Sequence, residues 1–299
     1  MVSSPAPSTD SQRHLIAHCG VDADIHTVED ALASASSWTS VTVVGSTAEL
    51  REALERLVAT SEHSSDSRTV VIPITSGRNV TLIADTAKVC SWARTCHPQL
   101  RGHLALADAP LTATSTVAWL RASLRHHTSH NDLAVICSRS IDPFADAELF
   151  RLARLAWTNG SGADVIVAFD DAYPSVEQAS APHRERARKI ATIRADIHPG
   201  RQGAHKPLLS GTALAVAVTQ AASSALHRLG DHDDDGIDAA VLADHDHGYA
   251  HGHGDDDDHP HGHSHSHGHN HHSHGHHHHG HHHEHEPTIT LELGDDHAL

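Results

Sequence analysis

The sequence predicts an α/β protein made of two tandem, Rossmann-like units of parallel sheet, followed by a tail of different composition. From residue 14 to about residue 230, short apolar runs alternate with helical periods, which is the pattern of a parallel sheet whose strands are joined by helices. Six strand candidates fall into two sets of three. Beyond Gly230 the chain consists mainly of His, Asp, Gly and Ser, which cannot bury enough apolar surface to offset chain entropy, so we expect a disordered tail.

Each predicted strand is a short apolar run bounded by polar or turn residues, as strands buried on both faces are. In chain order the six runs occupy residues 14–17, 41–44, 69–74, 133–137, 165–169 and 190–197. Their repetition predicts two units, residues 11–127 and residues 128–230, after a disordered N-terminus at residues 1–10. Such units bind ligands at the carboxyl ends of their strands, so the residues that follow each strand are candidates for a site.

Three helices are predicted from apolar residues that recur at helical spacing. The first covers residues 50–58 and follows Ser46 and Glu49, which fit a capping box. Residues 149–157 repeat the same spacing in the second unit. A third apolar stripe, at residues 214–225, closes the region that we expect to fold.

Charge is concentrated in the tail, residues 231–299. This segment holds sixteen Asp and Glu and no Lys or Arg, so it carries sixteen of the seventeen excess negative charges of the chain. The remaining body is nearly neutral, and aromatic residues make up only 3% of the chain. A chain without a basic face or stacking side chains is not expected to bind nucleic acid.

The N-terminus carries neither the basic nor the apolar region of a secretory signal, and no apolar run reaches the length of about eighteen residues that a membrane span needs. We therefore expect a cytoplasmic protein without a membrane partner. Cys19, Cys90, Cys96 and Cys137 show no CxxC spacing, which argues against a zinc knuckle or a redox pair. Cys90, Cys96 and Cys137 are expected to be reduced thiols that mostly pack in the core.

The tail contains a histidine tract at residues 251–285, with nineteen histidines, many separated by a single Gly or Ser. Neutral imidazole binds divalent Co, Ni, Cu and Zn, and a flexible site follows the general affinity order of these ions instead of selecting one. The expected metal ligands are His251, His253, His261, His263, His265, His267, His269, His271, His272, His274, His276, His277, His278, His279, His281, His282, His283 and His285.

Two other interpretations of the tract are a purification tag and a hydrophilic tail without a role. A tag is normally an unbroken terminal run, whereas this tract is interrupted by four Asp at residues 255–258 and is followed by fourteen further residues. Metal binding is therefore the favoured interpretation. The tract alone is equally compatible with a metal store, a metallochaperone and a tail that supplies an enzyme.

Several segments of the body occur in the order found in a known family. His18 ends the first strand within residues 15–20, and the helix at residues 49–58 leads into a strand, residues 69–73, that ends in proline. The segments that continue this order in the second half are residues 138–143, 153–157, 167–169 and 174–175. Over roughly residues 13–228, this set resembles the two-repeat form of the CbiX-type sirohydrochlorin cobaltochelatases, of the class II chelatase family, whose members include some with histidine-rich segments.

The resemblance implies two chelatase-like units and a lyase activity, the insertion of a divalent metal ion into a sirohydrochlorin-like tetrapyrrole in cobalamin or sirohaem biosynthesis. Co²⁺ is the expected metal substrate, with Ni²⁺ or Fe²⁺ as alternatives, and no organic cofactor is implied. His18 is implied as the catalytic residue and a metal ligand, because imidazole binds an ion or accepts a pyrrole proton near neutral pH. Considered alone, a histidine at a strand end is more often structural.

Four positions after other strands are further candidates. Arg78 and Arg139 are expected to bind carboxylates of the substrate, with unpaired surface arginines as the alternative. Asp170, next to Asp171, is a candidate metal ligand, with a solvated turn as the alternative. His198, in the loop after the last strand, is a candidate second imidazole.

The sequence departs from the family pattern at two places in the first half. Asn79 or a neighbour stands where the family has a second metal-facing histidine, and neither Val44 nor Gly45 supplies the acidic residue that follows the second strand. The missing histidine favours an alternative function, a nickel or cobalt store or metallochaperone on a degenerate chelatase scaffold. A zinc-dependent hydrolase is set aside because the chain has no HExxH motif. The identity of the metal and the oligomeric state, including self-association, stay open.

Overall fold

The computed structural model describes residues 12–33, 35, 37–59, 67–158, 162–200 and 205–243. All of them belong to one compact unit that spans residues 1–252. The metal ligands predicted in the histidine tract lie outside the described residues.

Seven strands and eight helices alternate along the described part of the chain. The strands are β1 (Arg13–Cys19), β2 (Ser40–Val44), β3 (Arg68–Ile74), β4 (Leu104–Leu106), β5 (Leu133–Ser138), β6 (Asp164–Phe169) and β7 (Ile190–Arg194). The helices are α1 (Ile25–Leu32), α2 (Thr47–Ala59), α3 (Val80–Cys96), α4 (Ala113–His127), α5 (Pro143–Thr158), α6 (Val176–Ser180), α7 (Gly211–His232) and α8 (Ile237–Val241).

The strands form two small parallel sheets, so the predicted α/β class is confirmed at this level. One sheet has the order β2-β1-β3-β4 and the other the order β6-β5-β7. Every pairing is parallel, so within each sheet all carboxyl ends lie along one edge. All six predicted strands are present, and β4 is an additional one.

The carboxyl edges of the two sheets are joined by main-chain pairing. Ala23, in the loop after β1, forms a parallel bridge with Ile197, which follows β7. The amide of Asp24 donates to the Ile197 carbonyl at 3.0 Å, and the Ile197 amide donates to the Asp22 carbonyl at 2.9 Å. The loops that follow the first strand and the last strand are therefore held side by side.

One apolar core lies between the sheets and contains residues of α1, α4, α5 and α7. A second core covers the opposite face of the first sheet with α2, α3 and α8. On the outer face of the second sheet, a small cluster includes residues of α6. The shared central core means that the two predicted halves are not separately packed domains.

The halves also exchange helices. Helix α4 belongs to the first half in sequence but packs against α5 and β7, whereas α7 returns to pack against α1, β3 and β4. Residues 11–127 and residues 128–230 are thus contiguous in sequence but interleaved in space.

The folded region continues beyond Gly230, where the sequence predicted that the tail begins. Helix α7 ends at His232, and Ile237 of α8 is fully buried. Arg94 of α3 donates to Asp235 and to Asp238, each at 2.6 Å. These acidic residues therefore fix the last helix on the body, and this corrects the predicted boundary of the tail.

Within the described part of the chain, we find no helix that is both long enough and apolar enough to cross a membrane.

Candidate functional site at the strand ends

His18 lies at the carboxyl end of β1, and the structure surrounds its side chain with protein. The residue is 1% exposed, and its Nδ1 is 2.8 Å from the Thr86 hydroxyl oxygen. That hydroxyl donates its proton to the Leu82 carbonyl at 2.6 Å, so it accepts from His18. The proton of the neutral ring therefore lies on Nδ1, and Nε2 keeps a lone pair.

The same burial keeps the His18 ring neutral. It lowers the pKa of His18 from 6.5 to about 4, against the attraction of Asp85 and Glu49, which raises it. A neutral imidazole with a lone pair on Nε2 has the protonation state that a metal ligand or a base needs. The surrounding protein encloses the ring, and the predicted catalytic and metal-binding role of His18 stays a prediction.

Asn79 stands where the chelatase family has a second metal-facing histidine. In this structure its side chain caps helix α3. Its side-chain oxygen accepts from the Leu82 amide at 3.1 Å, and the residue is 6% exposed. A Cβ at Gly20 would lie 2.7 Å from Asp22 Oδ1 and 2.9 Å from Asn79 Nδ2. Close packing at this point therefore requires a glycine after β1.

Asp22 was not predicted, yet it organises the junction of the two sheets. Its Oδ2 accepts from the Thr75 hydroxyl at 2.7 Å, from the Ser76 amide at 2.7 Å and from the Ser76 hydroxyl at 2.6 Å. The residue is fully buried, and Oδ1 has no hydrogen-bond partner among the described residues. Its main-chain carbonyl accepts from Ile197, so one residue links β1, β3 and the segment after β7.

Arg78 crosses from the first half to the second, and its side chain is fully buried. It donates to the Ser138 hydroxyl at 2.6 Å, to the Ala145 carbonyl at 3.3 Å, to Asp146 at 3.2 Å and to the Arg139 carbonyl. Both terminal nitrogens thus bind protein groups. The structure gives Arg78 a clear structural role, and the predicted binding of substrate carboxylates stays a prediction.

The strand ends of the second half are filled by a buried ion cluster. The Arg194 side chain is fully buried and donates to Asp196 at 2.7 to 2.9 Å and to Asp170 at 2.6 Å. Cys137, the counterpart of His18 on β5, donates to Asp170 at 3.2 Å. Burial raises the pKa of the Cys137 thiol to about 12, so the thiolate is suppressed.

Asp196 receives further bonds, from the Ser138 hydroxyl and the Arg139 amide, each at 2.8 Å. Burial raises the pKa of its carboxyl, while the guanidinium of Arg194 acts in the opposite direction. Because Ser138 also accepts from Arg78, the ion cluster and the Arg78 contacts form one buried network.

Arg139 and Asp171 lie at the rim of this network, and His198 lies in the loop after β7. Arg139 Nε donates to Asp171 at 3.2 Å, and the Arg139 side chain is 40% exposed. Burial raises the pKa of Asp171, but the hydrogen bonds from the Ser140 amide and from Arg139 together lower it by more, so the net shift is downward. His198 Nδ1 accepts from the Gly200 amide at 3.0 Å. The predicted substrate and second-imidazole roles of these residues stay predictions.

No three His, Cys, Asp or Glu side chains converge as a metal-binding group in the part of the chain that the structure describes. His18 contacts α3, while Asp170 is bonded to Arg194 and Cys137 of the other sheet. The two metal ligands predicted in the body therefore belong to different surroundings.

The sequence had signals for the missed residues. Asp22 lies four residues after His18, and Arg194 and Asp196 alternate at the end of the last strand. Polar residues at strand ends mark this edge, but their partners are distant in sequence and could not be assigned from spacing.

In comparisons with known proteins, no family model matches the chain and no curated protein matches it.

Proposed function

We propose that the protein is a metal chelatase of the sirohydrochlorin type, in which the histidine tract gathers divalent ions and the body inserts one into a tetrapyrrole. The observation that carries the proposal is the state of His18. A neutral imidazole, with its proton fixed on Nδ1 by Thr86 and a lone pair on Nε2, lies at the carboxyl end of the first strand.

Two further features support this proposal. The body contains two parallel sheets, and the resemblance to the chelatases implies two α/β units. The two sheets are joined at their carboxyl edges. The histidine tract at residues 251–285 offers nineteen imidazoles interspersed with Gly and Ser, and Co²⁺, Ni²⁺ and Fe²⁺ are ions that imidazole binds.

In the proposed reaction the ion is a substrate, and His18 supplies a neutral imidazole to bind it or to accept a proton. Its Nε2 would either bind the incoming ion or accept a pyrrole proton. Metal insertion releases two pyrrole protons, of which Nε2 would accept one and water the other, and proton transfer to a positioned base typically contributes about 10²- to 10⁴-fold in rate. Thr86 is a positioning residue, because it holds the tautomer in which Nε2 is free.

Two observations favour a second function. His18 is only 1% exposed, and both terminal nitrogens of Arg78 bind protein groups. A body with these groups enclosed would suit a nickel or cobalt store or a metallochaperone, in which the tail binds ions and the chelatase-like body is a scaffold.

The test is anaerobic insertion into sirohydrochlorin, followed by absorbance, with the full chain and Co²⁺, Ni²⁺ or Fe²⁺. The decisive variant is His18→Asn, because its amide keeps a donor for Thr86 and removes Nε2. His14→Asn is the matched control, since His14 lies on the same strand, is 2% exposed and has its Nδ1 2.7 Å from the Ser40 hydroxyl.

The proposal predicts insertion faster than the spontaneous reaction for the unmodified chain and for His14→Asn, with loss of at least about 10²-fold in His18→Asn. Equal rates in the two variants would remove His18 from the mechanism. If no metal is inserted faster than spontaneously while the chain still binds ions, the store or metallochaperone is the function.

A further inference from the structure

A groove of about 1010 Å³ runs between α1, the carboxyl end of α4 and the first half of α7. It is distinct from the strand-end cluster, because none of His18, Asp22, Arg78, Arg194 and Asp196 is among the described residues that line it. Its volume is at the upper end of the range of roughly 300–1,000 Å³ for small-molecule sites. The groove therefore suits a large organic ligand better than a small metabolite.

One wall of the groove is apolar and accessible. Ala31 of α1 and Ala215 and Val216 of α7 line it, and Val216 is 54% exposed. A Cβ at Gly211 would lie 3.8 Å from the Ala31 Cβ, so small residues let the two helices approach each other beside this wall. An apolar wall within a concave surface suits the apolar part of a ligand.

Two lysines lie at one rim of the groove, beside His127, which is neutral because its pKa is lowered. Lys206 and His127 line it, and Lys189 donates to the His127 carbonyl at 3.2 Å. Burial lowers the pKa of His127, and the neighbouring His126, Lys189 and Lys206 lower it further, as expected where cations gather. Among the described lining residues, Asp30 is the acidic one.

We propose that this groove binds an amphipathic organic anion, with its apolar body against the α1 and α7 wall and a carboxylate at the Lys206 rim. The basis is the combination of a large concave surface, an exposed apolar wall and two lysines, Lys206 and Lys189, at one rim. The site is separate from His18, so the proposal holds whether or not the protein inserts metal.

The probe is coproporphyrin, which carries four carboxylates on a flat apolar ring and whose fluorescence reports binding. The full chain is titrated at pH 8 with a metal chelator present, so that ions held by the tail do not contribute. Lys206→Glu reverses the charge of the rim, and Lys88→Glu on α3 is its control. Val216→Asp places a charge on the apolar wall, and Val21→Asp, at a position 50% exposed in the loop after β1, is its control.

The proposal predicts saturable binding that weakens by about tenfold in Lys206→Glu and in Val216→Asp, and by less than about twofold in the two controls. Binding of the unmodified chain should also weaken as salt is raised. Unfolding midpoints in urea check that all variants fold. Absence of saturable binding overturns the proposal, and so does weakening by Val21→Asp without weakening by Val216→Asp, which would place the ligand at the strand ends.

Discussion

Replacing Arg78 by methionine should destabilise the body strongly, because the fully buried guanidinium joins the two halves. The change removes donors to Ser138, Asp146 and two main-chain carbonyls and leaves those acceptors in a protein interior. Breaking a buried ion pair by removing one partner costs about 3–5 kcal/mol. We expect the free energy of unfolding to fall by about that amount.

The assay is equilibrium unfolding in urea, followed by circular dichroism, with Arg151→Met as the matched control. Arg151 donates to Glu148 at 2.6 Å, but its side chain is 57% exposed, so its loss should cost no more than about 1 kcal/mol. Arg78→Lys should fall between the two, because an ammonium cannot reach several acceptors at once. Equal midpoints for Arg78→Met and Arg151→Met would refute the view that Arg78 holds the halves together.

Three further predictions concern stability. The pKa of His18 is about 4 in the folded chain and 6.5 in the unfolded one, so the unfolded state binds more protons between these values and stability falls as pH drops through that window. The loss of unfolding free energy is up to about 1.4 kcal/mol per pH unit. The urea midpoint of His18→Asn should therefore depend less on pH in this window than that of the unmodified chain. Asp22→Ala should cost at least about 2 kcal/mol more than Asp22→Asn, because only the amide keeps an acceptor for the donors of Thr75 and Ser76; equal unfolding energies would contradict this. A chain that ends after Gly230 should unfold at lower urea than one that ends after Ala243, since it lacks α8; identical midpoints would show that α8 adds nothing.

The strands were predictable because burial on both faces leaves a continuous apolar run, as in β3. Strand β4 has only three residues, Leu104–Leu106, which is too short for such a signal. Helix α8 was missed because it lies in an acidic segment, where the composition predicted a tail. Its stability depends on Arg94 and on the buried Ile237, and neither contact can be inferred from the local sequence.

The site was predictable only in its location. The sequence placed His18 at a strand end, but its enclosure depends on Thr86, 68 residues further along. In the same way, Arg78 was expected to face substrate, because the local sequence gives no sign of its partner Ser138, which lies 60 residues away. Local patterns place residues at an edge of a sheet, whereas tertiary packing decides whether those residues face solvent or each other.

The number of divalent ions bound per chain tests the metal-handling function most directly. Equilibrium dialysis with Co²⁺ or Ni²⁺ should give about four to six ions for the full chain at pH 7.5, at three or four imidazoles per ion. Binding should weaken as pH falls through about 6.5, because imidazole must be neutral to bind metal. A chain that ends after Ala243 should lose this capacity. Binding that is unchanged at pH 5, or equal in the full and shortened chains, would contradict a histidine tract that gathers metal.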